Sequence, residues 1–373
     1  MEKLKKVFDT NRALFFAMLF ICCIVAMGVL RFASVVILPF VIAVLLSFVL
    51  FPIVKVMDKL RFPRFLSILL VVAIIVAGLY LVGIVLFTSA TMILAQYPRY
   101  EGRILEIYIW AARMFELPFD EALSIWENLW AQLGIRTFVM DFTLAITNQV
   151  IRFIQSAVLV ILFIIFILLE ARFFRNKLEA AFENRSERIN KMGFDIMTQV
   201  ARYLGAKSLF SLANGIIYTV SFMLVGLEFA LVWGVVQFFM NYIPTLGSIA
   251  TGVAISLFAL IQFWPEPGPV IIVVAIILVV NLFLSNFLDP KLVGEHVGLS
   301  PLVVLISLSI WGYIWGFVGM LLAVPLTVII KIVCENIPIM EPVSVLLGSR
   351  KSVLARKAEC EKHDTAGKET IQP

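Results

Sequence analysis

The chain has 373 residues, 62% of them hydrophobic and only 15% charged, with a mean hydropathy of +1.02. A soluble domain is nearer half apolar and a quarter charged, so a water-soluble globule is excluded, and the long unbroken apolar runs exclude a β-barrel, whose strands alternate apolar and polar residues. A net charge of +5 suits the loops between membrane helices better than a nucleic-acid surface, and four cysteines with His296 and His363 offer neither a disulfide framework nor ligand spacing for a metal.

A membrane helix needs about 20 mostly apolar residues, and such runs predict an all-α polytopic membrane protein, for which a resemblance given below implies about eight spans. The first run, 13–30, follows Lys3, Lys5, Lys6 and Arg12. It is too long for a signal-peptide core and lacks a small-residue cleavage site, so it reads as a helix that stays. The second run is 32–51, with a kink expected at Pro39, and the third is 65–87. A mixed segment follows, with helically spaced apolar residues and Trp110, Trp126 and Trp130, which favour a membrane interface. The fourth run is 153–169. After a charged stretch the apolar signal returns in 210–227, 229–243, 248–263 and 270–288, then in a pair, 302–313 and 317–333.

These runs divide the chain into three membrane helices (1–93), an extracytoplasmic amphipathic insert (94–150), membrane helix four (151–169) and a charged cytoplasmic helix (170–208). A C-terminal transport region with two hairpins (209–335) and a cytoplasmic tail (336–373) complete it. Lysines and arginines set the orientation. Lys55, Lys59, Arg61 and Arg64, the basic run from Arg172 to Lys207, and Arg350, Lys351, Arg356 and Lys357 fall on one side if the spans alternate. That side is taken as cytoplasmic, with both termini. The insert is net acidic, as an outer segment should be.

The stretch NYIPTLGSI, 241–249, interrupts two apolar runs with an amide, a phenol, a proline and a glycine. Pro244 removes a backbone donor and clashes one turn back, and Gly247 permits a turn. The helix is expected to break there, leaving carbonyls near 237–241 and amides near 246–248 without partners. Such discontinuous helices build sites in secondary transporters, although a plain turn between antiparallel helices fits equally well. The pair 302–313 and 317–333 is a second interrupted region, a hairpin turning at YIWG, and its first arm is short enough to re-enter rather than cross.

Two blocks carry a resemblance. FALVWGVVQFFMNYIPTLGSI and NFLDPKLVGEHVGLSPLVVLISLSIWGYIWGFVGMLLAVPL, 286–326, resemble signatures of the autoinducer-2 exporter (AI-2E) family of bacterial permeases. The second is the more specific, through Asn286, Asp289, Pro290, Gly294, Pro301, Gly316, Gly319 and Pro325 in order. The resemblance implies passive or coupled export of a small solute, with some members linked to autoinducer-2 and others to sodium/proton exchange. It also implies a homo-oligomer, with a pentamer as the candidate form.

The candidate solute-binding residues are therefore Gln237, Asn241, Tyr242, Pro244, Thr245, Gly247, Asn281, Asn286 and Asp289. The amides must face protein or water inside a bilayer, as part of a polar pathway or as glue between helices. Gly312, Gly316 and Gly319, with Pro290, Gly294, Pro301 and Pro325, are candidates for hairpin packing or gating. Asp289 fits two roles: carrier of a cation or proton, or partner of Lys291 at the surface. No carboxylate stands in the middle of a span, which weighs against ion exchange. No Walker loop, H-E-x-x-H, G-x-S-x-G or dinucleotide turn is present, so the chain is expected to be neither an ATP-driven pump on its own nor an enzyme, and to need no cofactor or metal. A sodium (lithium)/proton antiporter on the same scaffold and a non-transporting envelope scaffold built on the insert are the alternatives.

Overall fold

The computed structural model describes residues 24–114, 155–171, 186–283, 298–337 and 340–349, with scattered positions beside them. The expectations for 115–154, for Asn286, Asp289, Pro290 and Gly294, and for the tail beyond 349 lie outside the described residues.

The described chain is helical. α1 (24–32) is separated from α2 (Ser34–Lys59) by a turn at Ala33, so the interruption precedes Pro39, which sits inside α2. α3 runs Arg64–Met114, 51 residues without a break. The end expected near residue 87 is not there, because loss of hydropathy does not stop a helix whose backbone bonds continue. α4 is Gln155–Ala171. α5, Ser186–Val225, joins the charged segment and the next apolar run into one helix. Then come α6 (Ala230–Met240), α7 (Leu246–Phe263), α8 (Pro267–Phe283), α9 (Pro301–Asn336) and α10 (Glu341–Leu347).

Among the described residues, five helical segments are long and apolar enough to cross a membrane: 34–59, 64–89, 189–225, 246–263 and 301–336. Large apolar side chains on these helices and on α1 face outward, Leu224 at 84% and Phe32 of α1 at 93% exposure among them. Water would not tolerate so much exposed hydrocarbon, whereas a bilayer supplies its apolar surroundings.

The chain forms two compact units. The first comprises 1–47, 156–192 and 299–373. Its main feature is α9, which is one span by length only. At Gly316 the backbone takes φ 63°, ψ −141°, and the helix folds back on itself. Ser307 donates to the Ala323 carbonyl at 3.0 Å and shares a hydrogen bond with the Thr327 hydroxyl, contacts a straight helix would hold about 24–30 Å apart. The hairpin expected from YIWG is present. Its first arm, 301–315, is about 22 Å long, short of a hydrocarbon core of about 30 Å. The arms touch through small residues: a Cβ on Gly319 would stand 1.9 Å from the Trp311 carbonyl oxygen, and one on Gly312 would stand 2.9 Å from Met320. Trp315 donates to the Leu30 carbonyl at 3.0 Å, and the Arg31 guanidinium lies 4.5 Å from the Tyr313 ring centre.

The second unit comprises 48–155 and 193–298. Four helices meet there in one core: Tyr218 and Phe222 of α5, Leu227 and Ala230 at the start of α6, Ile255 and Ala259 of α7, and Val273 and Ile277 of α8. α5 and α6 approach closely because both are glycine at the crossing. A Cβ on Gly234 would lie 1.8 Å from Thr219 Oγ1 and 2.6 Å from the Gly215 carbonyl oxygen. This is the small-residue packing that brings membrane helices together where no hydrophobic force separates helix from lipid.

Candidate functional site

The interruption at 241–245 is a compact turn. Asn241, Tyr242 and Ile243 donate their amides back to Gln237, Phe239 and Met240 at 2.9–3.1 Å. On the far side, Leu246 donates to Pro244 and Gly247 to Ile243, at 2.6 and 3.2 Å. Thr245 makes this possible by adopting φ 60°, rare for a β-branched residue. Of the groups expected from the sequence to lose partners, the carbonyls of Gln237, Phe239 and Met240 and the amides of Leu246 and Gly247 have them. Gly247 is required sterically, since a Cβ there would stand 1.8 Å from the Met240 carbonyl oxygen. α6 and α7 leave the turn as an antiparallel pair, with Trp233 and Phe229 both against the Phe258 ring, at 5.5 and 5.8 Å.

The side chains of the turn divide. Pro244 and Thr245 lie toward the surface. Asn241 points inward, and its Nδ2 donates to Ser211 Oγ of α5 at 2.9 Å. The Tyr242 hydroxyl shares a 2.7 Å hydrogen bond with Ser208 Oγ. Paired this way, α6 runs antiparallel to α5, with Gly234 beside Gly215 and Asn241 beside Ser211.

Gln237 lies between those two contacts, level with residues 212–214 of α5. It is completely buried, and neither Nε2 nor Oε1 has a hydrogen-bond partner. Asn214, on the facing stretch of α5, is buried with its Oδ1 also unpaired. One turn further along, the Tyr218 hydroxyl lies near the Asn281 amide of α8 without a hydrogen bond of normal geometry. A buried amide or hydroxyl without a partner costs about 1–3 kcal/mol. Several of them between the same helices mark a place where something polar belongs.

The opposite end of these helices is tied differently. Gln262 of α7 accepts from the Glu228 amide at 2.8 Å and donates to the Gly226 carbonyl at 2.9 Å, so one side chain holds the α5–α6 loop. The extension of α3 holds the same loop from outside: Arg99 pairs with Glu228 at 3.0 Å, and the Tyr100 hydroxyl donates to the other oxygen of that carboxylate. Arg103 donates to the Trp264 carbonyl, and Trp110 packs edge-on against Trp264 at 5.4 Å. Burial, then the bond to Glu228 and its charge, hold the Tyr100 phenol well above the ordinary tyrosine range.

Of the candidate residues, the structure gathers Gln237, Asn241 and Tyr242 against α5 and sets Asn281 beside Tyr218 on the same helix. Pro244, Thr245 and Gly247 shape the turn. Pro301, Gly312, Gly316, Gly319 and Pro325 belong to the hairpin of the other unit. The sequence reading missed α5 itself. Lys207, assigned to a solvated basic segment, is 3% exposed, and Ser211, Asn214 and Tyr218 follow it on the same buried face. The signal was available: polar residues at 203, 207, 211, 214 and 218, in steps of four, four, three and four, make one stripe on a helix.

A helical membrane chain with a buried polar seam and two tight hairpins narrows the choice of family. The sequence model of the AI-2E family transporter matches residues 15–339. The chain belongs to this family. The AI-2 transport protein TqsA of Escherichia coli K12 is 30% identical over 355 residues, spanning 92% of this chain and 98% of its own. Two proteins named "Putative transport protein" are similar to the same extent. That of Haemophilus influenzae is 30% identical over 87% of this chain and 93% of its own, and that of Borreliella burgdorferi 29% identical over 88% and 90%. The resemblance carried by the two sequence blocks is thus correct, and this AI-2E member is a multi-pass inner-membrane protein of a transporter family.

Proposed function

We propose that the chain exports a small polar solute, with an autoinducer-2-like hydroxylated compound as the candidate, through a path bounded by α5, α6 and α8. The single observation that supports this most is Gln237: wholly buried with both ends of its amide unpaired, while the buried Asn214 of α5 likewise has its carbonyl unpaired. A purely structural amide in that position would be expected to find a partner across the helix interface. A hydroxylated solute offers donors and acceptors to both ends of it. Asn241 and Tyr242 stand at the turn end of the path and Asn281 beside Tyr218. Asn286 and Asp289, next along the chain after α8, are assigned to the same path on sequence grounds. Pro244, Thr245 and Gly247 keep the turn closed around it. In this reading the chain is a carrier and not an enzyme, both termini face the cytoplasm, and the working form is a homo-oligomer.

The test is flux through purified full-length protein in liposomes, with labelled autoinducer-2 and labelled ribose as probes. Flux above empty liposomes is expected for at least one of them. Asn241→Ala should lower it about ten-fold, equivalent to roughly 1.4 kcal/mol, while the protein stays monodisperse. Absence of flux for both, or flux indifferent to Asn241→Ala, refutes the proposal.

A further inference from the structure

The polar seam gives way to hydrocarbon before its helices end. Toward the loops at 226–229 and 264–266, α5, α6, α7 and α8 share one apolar core, in which Phe222, Ile255, Ala259 and Val273 are wholly buried. Side chains packed that closely offer no partner to a polar solute, so this end of the path is plugged in the conformation seen. One helix ties both loops beyond the plug. Residues 99, 100, 103 and 110 lie on one face of α3. In the α5–α6 loop, Arg99 at 3.0 Å and the Tyr100 hydroxyl both hold the Glu228 carboxylate. In the α7–α8 loop, Arg103 donates to the Trp264 carbonyl and Trp110 packs on the Trp264 ring. The Tyr100 ring also lies 5.7 Å from that of Phe258, over the plug itself. The loop held by Glu228 is not a relaxed one: Phe229 stands at φ 57°, where a residue with a side chain is rare.

We propose that the extension of α3 is a strap across this end of the path, and that it releases Glu228 each time solute passes. The inference rests on the transport reading above and adds the device that closes the path. Solute in the seam can leave toward the loops only if the four helices part at the plug. Parting them draws the 226–229 loop away from the 264–266 loop, and α3 grips both. The grip on Glu228 is the one built to yield. The Arg99 side chain is 58% exposed, and water replaces a partner in so open a pair at little cost. The grip on Trp264 joins a backbone carbonyl to a guanidinium that Glu106 steadies at 3.4 Å on its own helix, with two indole rings in contact beside it. The α3 extension therefore stays on the α7–α8 loop while the α5–α6 loop swings free.

The experiment uses the full chain in liposomes, with Cys22, Cys23, Cys334 and Cys360 replaced by alanine and with labelled autoinducer-2 and labelled ribose as probes. Arg99→Cys combined with Glu228→Cys is joined by a bifunctional methanethiosulfonate and freed again with dithiothreitol. Flux should fall to background in the joined form and return on release, while each single-cysteine variant treated in the same way should change far less. A second measurement needs no cross-link. Ala259→Cys lies in the plug, so its labelling by a small methanethiosulfonate reports how often this end opens. Adding Glu228→Ala should speed that labelling about ten-fold, the factor that corresponds to losing one charge-assisted hydrogen bond. Adding Glu106→Ala, which leaves both loop contacts in place, should not. Equal flux from the joined and freed forms overturns the strap, as does labelling indifferent to Glu228→Ala. No flux of either probe before joining defeats the transport reading instead, and the labelling rates then judge the strap alone.

Discussion

Gln237→Met separates a residue kept for function from one kept for the fold. Methionine is close to glutamine in length and volume, so the change creates neither a large cavity nor a clash. It removes two amide atoms that are wholly buried without partners. At about 1–3 kcal/mol per unsatisfied group, the gain would be about 2–6 kcal/mol if the reference state were water. Inside a bilayer or micelle the reference state also finds partners, and measured polar contacts between membrane helices average only about 0.6 kcal/mol. A gain of about 1–2 kcal/mol is therefore expected, and in a chain this long each kcal/mol moves the melting midpoint by only about 1.3 °C. Thermal unfolding followed by tryptophan fluorescence in detergent should show Gln237→Met melting about 1–3 °C above wild type, while solute flux in liposomes falls to background. Gln237→Ala, which leaves a cavity, should melt lower than Gln237→Met. If Gln237→Met melts clearly below wild type, the amide is part of the packing scheme, and if flux survives, the seam is not the path.

Two further predictions concern the frame around the seam. In the α9 hairpin, Gly319→Ala would force a Cβ to 1.9 Å from a backbone oxygen that cannot move cheaply, whereas Gly316→Ala meets open space and is strained only by φ 63°. The first should lower stability by well over ~3 kcal/mol and leave little folded protein; the second, whose backbone conformation side-chain-bearing residues rarely adopt, should cost about 1–3 kcal/mol, and equal melting midpoints for the two would refute the hairpin geometry. At the other unit's loop end, burial and Glu228 raise the Tyr100 pKa above its unfolded value, so the neutral phenol is the stabilising form. That stability is complete below about pH 10 and is lost as pH rises through the raised folded value. Difference absorbance between wild type and Tyr100→Phe should show no phenolate from Tyr100 at about pH 11, and ordinary titration near 10 would show that the Glu228 contact is not made.

Much of the fold was legible because apolar runs and their punctuation are strong signals in membrane proteins. The runs read as 229–243 and 248–263 fold as Ala230–Met240 and Leu246–Phe263, and the turn expected at YIWG sits at Gly316. Two boundaries were not legible for a common reason. Hydropathy changes near residue 87 and again near 208, but a helix is propagated by backbone bonds and ends only where a cap, a glycine or a proline ends it. α3 and α5 both run through the change. The turn at 241–245 was misread in its backbone for a subtler reason. Removing the Pro244 donor does not by itself leave its neighbours unpaired, because Thr245 at φ 60° swings the chain so that Leu246 and Gly247 reach Pro244 and Ile243.

The site was half legible, and the missing half shows what a hydropathy reading discards. A residue-by-residue scale assigns Lys207 to water because lysine prefers water, and it averages Ser211, Asn214 and Tyr218 into the apolar run around them. The period of the same residues says otherwise. Polar groups that recur every three or four positions in an otherwise lipid-compatible helix all face one way, and that way cannot be lipid. Facing inward, each needs a partner. Ser211 has Asn241, and Ser208, beside the stripe, has Tyr242, whereas the Oδ1 of Asn214, the hydroxyl of Tyr218 and both ends of Gln237 have none. The broken segment singled out from the sequence thus marks only one end of the polar seam. Pro244 and Gly247 close the turn, Asn241 and Tyr242 dock it on α5, and the buried polar groups left without partners lie deeper along α5 and α6, where no helix breaker announces them.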